Sequence, residues 1–418
     1  MFFKNKIFEN FVSLFIWQLT INLLKLIWIP YVIKILGVGN YGIFTISQSI
    51  CFYLINIVDY GFNTTATREI SINRNNKEEL SKIFTSVLLS KIFLIFICFI
   101  FLINLINFIP QLSLNKRVYL YSFGIVIGTC LFPFFLFQGL EKMKYITYID
   151  SFFRLISILL IFTFIKNNND LEKLCIIFSL GYILSGLIGI FFSIFILKIS
   201  FKYVEFNYIF NQYKKGFDIF VSNLIVNILN NTNNILIGFF IGTKYSAFYS
   251  IADKIRVLFI SLYSIIINPI YSRICFVYNE NRNDYLKKIK AIEKFIFIIS
   301  ILMLLAINIF SDFFIKIFLS EDFKYSIIII RFLSISVFIN GLSFIYSNIF
   351  LASTENYKII RNSYFIGIFI YLISSFVIIH KNINLLTFGI NLIISELIIT
   401  LIFYYEYYSY LKIKKYIC

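Results

Sequence analysis

The sequence predicts an all-α integral membrane protein with about twelve transmembrane helices, and three observations carry that reading. Apolar residues make up 60% of the 418-residue chain and charged residues 14%, with a mean hydropathy of +0.85; soluble domains keep charge near a quarter of their composition. The apolar residues gather into runs of the length that crosses a bilayer as a helix, about 20 residues. The basic residues fall between those runs, and successive connections differ sharply in how many they hold. No stretch remains that would form a soluble domain larger than a hairpin.

Taken in order, the expected spans lie at about 11–35, 41–59, 82–107, 117–138, 145–165 and 171–197, then 216–240, 246–276, 292–315, 326–351, 360–379 and 385–405. Lys4 and Lys6 precede the first run as they would in a secretory signal. That run is too long and has no small-x-small cleavage site, so a retained helix is expected. Gly37-Val38-Gly39-Asn40 predicts a tight turn between the first two spans, and Gly242-Thr243-Lys244 repeats the layout between the seventh and eighth. Gly37…Gly42-Ile43-Phe44-Thr45 and Gly242…Ala247-Phe248-Tyr249-Ser250 share one pattern at an offset of 205. Duplicated halves of this kind are common in secondary transporters.

An even number of spans puts both termini on one side. With the termini inside, the inner segments hold 23 Lys and Arg and the outer segments 9, which predicts cytoplasmic termini. The same bias accounts for the net charge of +17 without a nucleic-acid partner. Six scattered cysteines, no CxxC and a single histidine, His380, exclude a Cys/His zinc site, and no metal is expected. GxxxxGK[ST], HExxH and GxSxG are all missing. The longest outer loop, about Ser311–Tyr325 with Glu321 and Asp322, is short for a catalytic site. Transport is therefore better supported than catalysis, and no enzyme activity or cofactor is expected.

Polar residues inside a span face other helices or a wet cavity, because facing lipid is costly. Gln18, Asn22 and Lys25 share a face of the first span, and Thr45, Ser49, Tyr53, Asn56 and Asp59 a face of the second. The seventh carries Asn223, Asn227, Asn230 and Asn234, and the eighth Tyr249, Asp253 and Arg256. Any one of these fits an interhelical hydrogen bond; four stripes in matching positions of two halves predict a hydrated cavity. Six basic residues fall deep: Lys25, Lys91, Arg154, Lys254, Arg256 and Arg331. A charge at mid-bilayer costs about 2.5–3.5 kcal/mol or more. Asp150 with Arg154, and Asp253 with Arg256, have the spacing of helix-surface ion pairs. Deep acids are fewer, Glu396 among them, so a net cationic interior is expected, suited to a diphosphate. Candidate ligand contacts are Lys25, Arg154, Arg256, Asn22, Asn227 and Asn230; candidate gating or coupling residues are Asp59, Arg68, Glu69 and Asp253.

Several segments carry a resemblance: Pro30-Tyr31-Val32-Ile33-Lys34-Ile35-Leu36-Gly37, Asn40-Tyr41-Gly42, Asp59-Tyr60-Gly61-Phe62-Asn63, Ala66-Thr67-Arg68-Glu69-Ile70, Phe137-Gln138-Gly139-Leu140-Glu141-Lys142-Met143 and Tyr249-Ser250-Ile251-Ala252-Asp253-Lys254-Ile255. In that order they resemble the polysaccharide (O-antigen) flippases of the multidrug/oligosaccharidyl-lipid/polysaccharide exporter superfamily, over about the first two-thirds of the chain. The last third adds only helix count and Asn348-Ile349-Phe350-Leu351-Ala352. Lys34 departs from the family, which often has Arg there, and loses the bidentate fork.

The resemblance implies two six-helix bundles, residues 1–208 and 209–418, around a central cavity open to one side at a time. It implies an undecaprenyl-diphosphate-linked oligosaccharide as cargo, carried from the cytoplasmic to the periplasmic leaflet of a bacterial inner membrane. The Asp59–Glu69 segment is then an inner gate, with Gly61 letting the chain turn. Membrane lipids, a polysaccharide polymerase and a chain-length regulator are the partners implied, and coupling to a proton or sodium gradient stays open. The alternatives are a multidrug-type exporter of the same fold, which needs an acidic interior, and a membrane glycosyltransferase or O-antigen polymerase, which needs a large outer loop.

Overall fold

A computed structural model describes residues 2–280, 282–318, 323–354, 356–381 and 384–415. Side chains in parts of 2–26, 264–283, 314–318 and 413–415, and at 357, lie outside that description, as do Glu321 and Asp322 of the expected outer loop. Among the described residues every regular element is helical. The first eight are α1 (Phe2–Asp59), α2 (Phe62–Ile72), α3 (Lys77–Phe108), α4 (Pro110–Ser113), α5 (Lys116–Leu131), α6 (Phe134–Gly139), α7 (Lys144–Phe164) and α8 (Leu171–Phe195). They are followed by α9 (Phe206–Phe240), α10 (Thr243–Glu280), α11 (Arg282–Phe318), α12 (Lys324–Phe344) with a π-helical continuation Ile345–Leu351, α13 (Tyr357–Lys381) and α14 (Leu385–Lys415).

Among the described residues nine helical stretches are long and apolar enough to cross a membrane. Several present unbroken apolar faces outward; on α3, Ile92, Phe93, Phe96 and Ile100 are all exposed, as lipid contact requires. The helices α9 and α10 are not in that set, although at 35 and 38 residues they are long enough. Both carry the polar stripes read from the sequence. The expected first span falls largely where side chains are not described.

The expected turn at Gly37–Asn40 is instead a kink at one residue. Gly37 alone leaves helical geometry, at φ 76 and ψ 164, and α1 continues to Asp59. Asn40 explains how so short a joint closes: its Nδ2 donates to Leu36 O at 3.2 Å and to Asn168 O at 2.9 Å. Gly242, at the matching repeat position, is also in positive φ, at 135. Only glycine takes such a conformation without steric cost.

At the other end of α1, Tyr60 (φ 47) and Gly61 (φ 79) turn the chain into α2. A Cβ on Gly61 would lie 2.9 Å from Ile219 Cβ, so this turn fits closely against α9. Asn76 caps α3 by accepting from Glu78 N at 3.1 Å and Glu79 N at 3.2 Å. Between α7 and α8, Asp170 pairs with Lys173 at 2.7 Å and accepts from Lys166 N and Asn167 N at 3.0 and 2.9 Å. The Lys173 contact first, then the two amides, hold its carboxyl at about 2, below the usual 3.8.

The chain divides into two compact units, residues 1–227 and 228–418, with the division inside α9. In unit 1, α5 and α8 pack most closely, and a Cβ on Gly128 would meet the Tyr182 backbone. Such close approach of small residues is how helices associate in lipid.

Candidate functional site

Each unit holds an arginine centre, half-buried in unit 1 and buried in unit 2. In unit 1, Arg154 Nε donates to Asp150 Oδ2 at 2.6 Å, one turn back on α7. Its Nη1 donates to Tyr182 Oη on α8 at 2.8 Å, and the guanidinium lies 4.6 Å from that ring's centroid. Asp150 also accepts from Trp17 Nε1 at 2.7 Å and Ser185 Oγ at 3.4 Å. The Arg154 side chain keeps 25% exposure. The apolar residues exposed on α7, Phe152, Leu155 and Leu159, lie on the other side of the helix by its 3.6-residue turn. Lys25 is partly buried on α1, close enough to Arg154 for the two charges to interact. The exposed Ile16 and Ile27 of α1 lie about 180° and 200° around the helix from it.

In unit 2, Arg256 is nearly sealed, with a side chain 1% exposed. Its Nε donates to Asp253 Oδ1 at 2.7 Å, Nη1 to Glu396 Oε1 at 2.9 Å and to Ser336 Oγ at 3.3 Å, and Nη2 to Asn230 Oδ1 at 3.1 Å. Ser336 Oγ in turn donates to Glu396. Beside it, fully buried Asn233 donates to Tyr249 Oη at 2.8 Å and Phe388 O at 3.1 Å, and accepts from Tyr371 Oη at 2.6 Å. Nε, both Nη1 hydrogens and one Nη2 hydrogen of the guanidinium are thus matched, as a buried charge requires.

The candidate gate residues pair within unit 1. Asp59 meets Lys91 at 3.1 Å, and Lys91 Nζ also donates to Asn63 Oδ1 at 3.1 Å. Glu69 pairs with Lys215 and accepts from Gln212 Nε2 at 2.6 Å, both on α9. Arg68, next to it, is exposed.

The structure therefore brings Lys25 and Arg154 together in unit 1, and Arg256, Asn230 and Asp253 together in unit 2. Asn227 donates to Asn223 O at 3.3 Å along its own helix, and the side chain of Asn22 lies outside the described residues. One expectation is corrected. Arg331 is 46% exposed and pairs with Asp312 at 2.9 Å. Four of the six basic residues, Lys91, Arg154, Arg256 and Arg331, have carboxylate partners, so the interior is less cationic than a count of residues implies. Carboxylates from other helices supply the difference. Trp17, Tyr182, Ser336 and Asn233 went unread because nothing in their spacing marks them. Among the described residues no group of His, Cys, Asp and Glu could hold a metal ion, and Cys51, Cys98, Cys130 and Cys175 are buried free thiols.

A helical bundle of bilayer-crossing length with ion-pair centres inside both units defines a multi-pass membrane protein with a polar interior. The polysaccharide biosynthesis protein family matches residues 7–275, and the chain belongs to that family. It is 28% identical over 354 residues, 84% of each chain, to the Escherichia coli K12 protein named "Putative O-antigen transporter". A Shigella dysenteriae protein of the same name is 27% identical over 59% of this chain and 62% of its own length. Among solved structures, an inward-facing MATE family multidrug resistance transporter of the MOP superfamily aligns with a TM-score of 0.75, at 14% identity over 94% of this chain and 96% of that one. The lipid II flippase MurJ in its inward closed conformation aligns at 0.67, with 16% identity over 94% and 86%. At those identities the likeness shows the fold, and it is the helical membrane fold expected from the sequence.

Proposed function

We propose that this chain is a flippase that moves an undecaprenyl-diphosphate-linked oligosaccharide, an O-antigen or capsule repeat unit, from the cytoplasmic to the periplasmic leaflet by alternating access. The observation that carries the reading is Arg154 of α7, held by one carboxylate with a quarter of its side chain still exposed, with Lys25 of α1 within electrostatic reach of it. A lysine and an arginine offered from two helices give a diphosphate one cation for each phosphate. The names of the family and of its relatives point the same way. In this reading Arg256, bonded on Nε, Nη1 and Nη2, keeps unit 2 in shape, while Asn227 and Asn230 line the polar side of α9.

Loop charge supports cytoplasmic termini in a bacterial inner membrane, so reporter fusions at Asn76 and Asn283 should read cytoplasmic and one at Asn168 periplasmic. Asp59, Arg68 and Glu69 are proposed as the inner gate, opening when the Asp59–Lys91 and Glu69–Lys215 pairs exchange partners. The carboxylates of Asp253 and Glu396 are where a coupling proton or sodium ion would act. A polymerase and a chain-length regulator would receive the product. One observation favours a second reading: Asp253 and Glu396 outnumber Arg256, and a multidrug exporter of cations needs such a surplus.

The test is polysaccharide display in a flippase-deleted strain, normalised to folded protein in the membrane. Lys25→Ala should lower display, and Lys25→Glu should lower it further by adding repulsion. Normal display from both would remove Lys25 from the ligand site. Restored resistance to cationic drugs without display would favour the second reading.

A further inference from the structure

Holding two cations at one ligand requires something to fix their helices, and unit 1 shows what does so. Asp150 Oδ2 accepts from Trp17 Nε1 on α1 and from Arg154 Nε on α7, at 2.7 and 2.6 Å. Its other oxygen accepts from Ser185 on α8 at 3.4 Å. Three helices therefore meet at one carboxylate that is itself 8% exposed. Trp17 and Lys25 belong to the same half of α1, before the kink at Gly37. The bond from Trp17 to Asp150 thus fixes how Lys25 stands beside Arg154.

The guanidinium is fixed in direction as well as place. Nε is committed to Asp150 and one Nη1 hydrogen to Tyr182, whose ring lies against the guanidinium at 4.6 Å. The end-on edge of the guanidinium carries one hydrogen from each of Nη1 and Nη2, and among the described residues no second carboxylate pairs with Arg154. A planar two-nitrogen edge matches two oxygens of a phosphate. We propose that Asp150, Trp17 and Tyr182 are positioning residues that aim this edge, and set Lys25 beside it, to form a diphosphate-class anion subsite within unit 1. This rests on the flippase reading and deepens it. Tyr182 sets the Arg154 edge, so it governs any tetrahedral anion. Trp17 sets the spacing of two cations, so it governs only an anion long enough to touch both.

The test uses the full chain, purified in detergent and titrated calorimetrically with inorganic pyrophosphate and with sulfate. Arg154→Ala should abolish pyrophosphate binding. Loss of one positioning hydrogen bond, felt by the anion only through the group it aims, corresponds to roughly a three- to tenfold change in Kd. Tyr182→Phe should weaken both anions by that factor, and Trp17→Phe should weaken pyrophosphate while sparing sulfate. Trp28→Phe, at a core ring packed on Phe178 at 4.9 Å, should change neither. A purely structural role would lower the folded fraction and leave Kd of the folded protein unchanged. If pyrophosphate binds, Arg154→Ala removes it and both aromatic variants bind as wild type, the positioning role is overturned and the phosphate site stands. If the wild type binds no pyrophosphate, both fall. Should Trp17→Phe not fold, Tyr182→Phe alone decides: unchanged Kd overturns the proposal.

Discussion

Arg154 in unit 1 and Arg256 in unit 2 each sit about one helical turn from an aspartate on their own helix, yet the two centres are built for different work. Arg154 has one carboxylate, a tyrosine, and a quarter of its side chain exposed. Arg256 has two carboxylates, a serine and an asparagine, and is 1% exposed. Similar spacing in the sequence, four residues in one and three in the other, therefore hides unequal chemistry. What separates the two is supplied by other helices: α8 gives Arg154 an aromatic face, whereas α14 gives Arg256 a second acid.

Stability should show the largest contrast. Arg256→Ala strands two half-buried carboxylates around a buried charge site, and breaking such a cluster costs about 3–5 kcal/mol. Thermal unfolding of the purified protein should read this as a large loss. Arg154→Ala leaves Asp150 with Trp17 and Ser185, and a partly satisfied acceptor of this kind costs about 1–3 kcal/mol. Equal losses would break the comparison. Exchanging partners sharpens it further. Asp253→Arg with Arg256→Asp puts a new acid beside Glu396, and Asp150→Arg with Arg154→Asp takes the acceptor from Trp17. Neither swap should restore folded yield, although spacing alone treats both as simple pairs.

A smaller effect compares the joints of the two units. Gly37 and Gly242 lie 205 residues apart in positive φ, and a Cβ on either has room, with nearest atoms at 3.9 and 3.8 Å. Alanine at either should therefore cost only backbone strain, about 1–3 kcal/mol. A loss at one joint and none at the other would argue against equivalent halves.

The smallest expected effect belongs to unit 1 alone, at the α7–α8 connection. Asp170 titrates at about 2 in the folded chain, against an ordinary aspartate value of 3.8. A depressed carboxyl stabilises the fold above the unfolded value and loses that stabilisation as pH falls through the folded one. The difference in melting temperature between wild type and Asp170→Asn should hold above about pH 4 and close between pH 3.8 and about 2. A difference undiminished at pH 2 would contradict the assignment.

Much of the fold was legible because lipid imposes one strict rule, that apolar runs of bilayer length become helices. The kink at Gly37 was read as a turn because glycine pairs mark both; only the Asn40 bonds to Leu36 and Asn168 distinguish them. The site was half legible. Deep charges stand out against apolar neighbours, so Lys25, Arg154 and Arg256 could be found, and Asp150 and Asp253 followed from helical spacing. Glu396 was visible as a deep acid, but its contact with Arg256 joins residues 140 positions apart. Trp17 and Tyr182 were not legible, since aromatic residues are 20% of the chain and carry little information singly.

The most direct test of two arginines with two roles is display per folded molecule for Arg154→Ala and Arg256→Ala, measured side by side in the flippase-deleted strain. The account predicts that Arg154→Ala keeps most of its folded protein and loses display per molecule, while Arg256→Ala loses folded protein and keeps display per molecule that remains. Abundant, folded Arg256→Ala with no display, beside Arg154→Ala displaying normally, would contradict it.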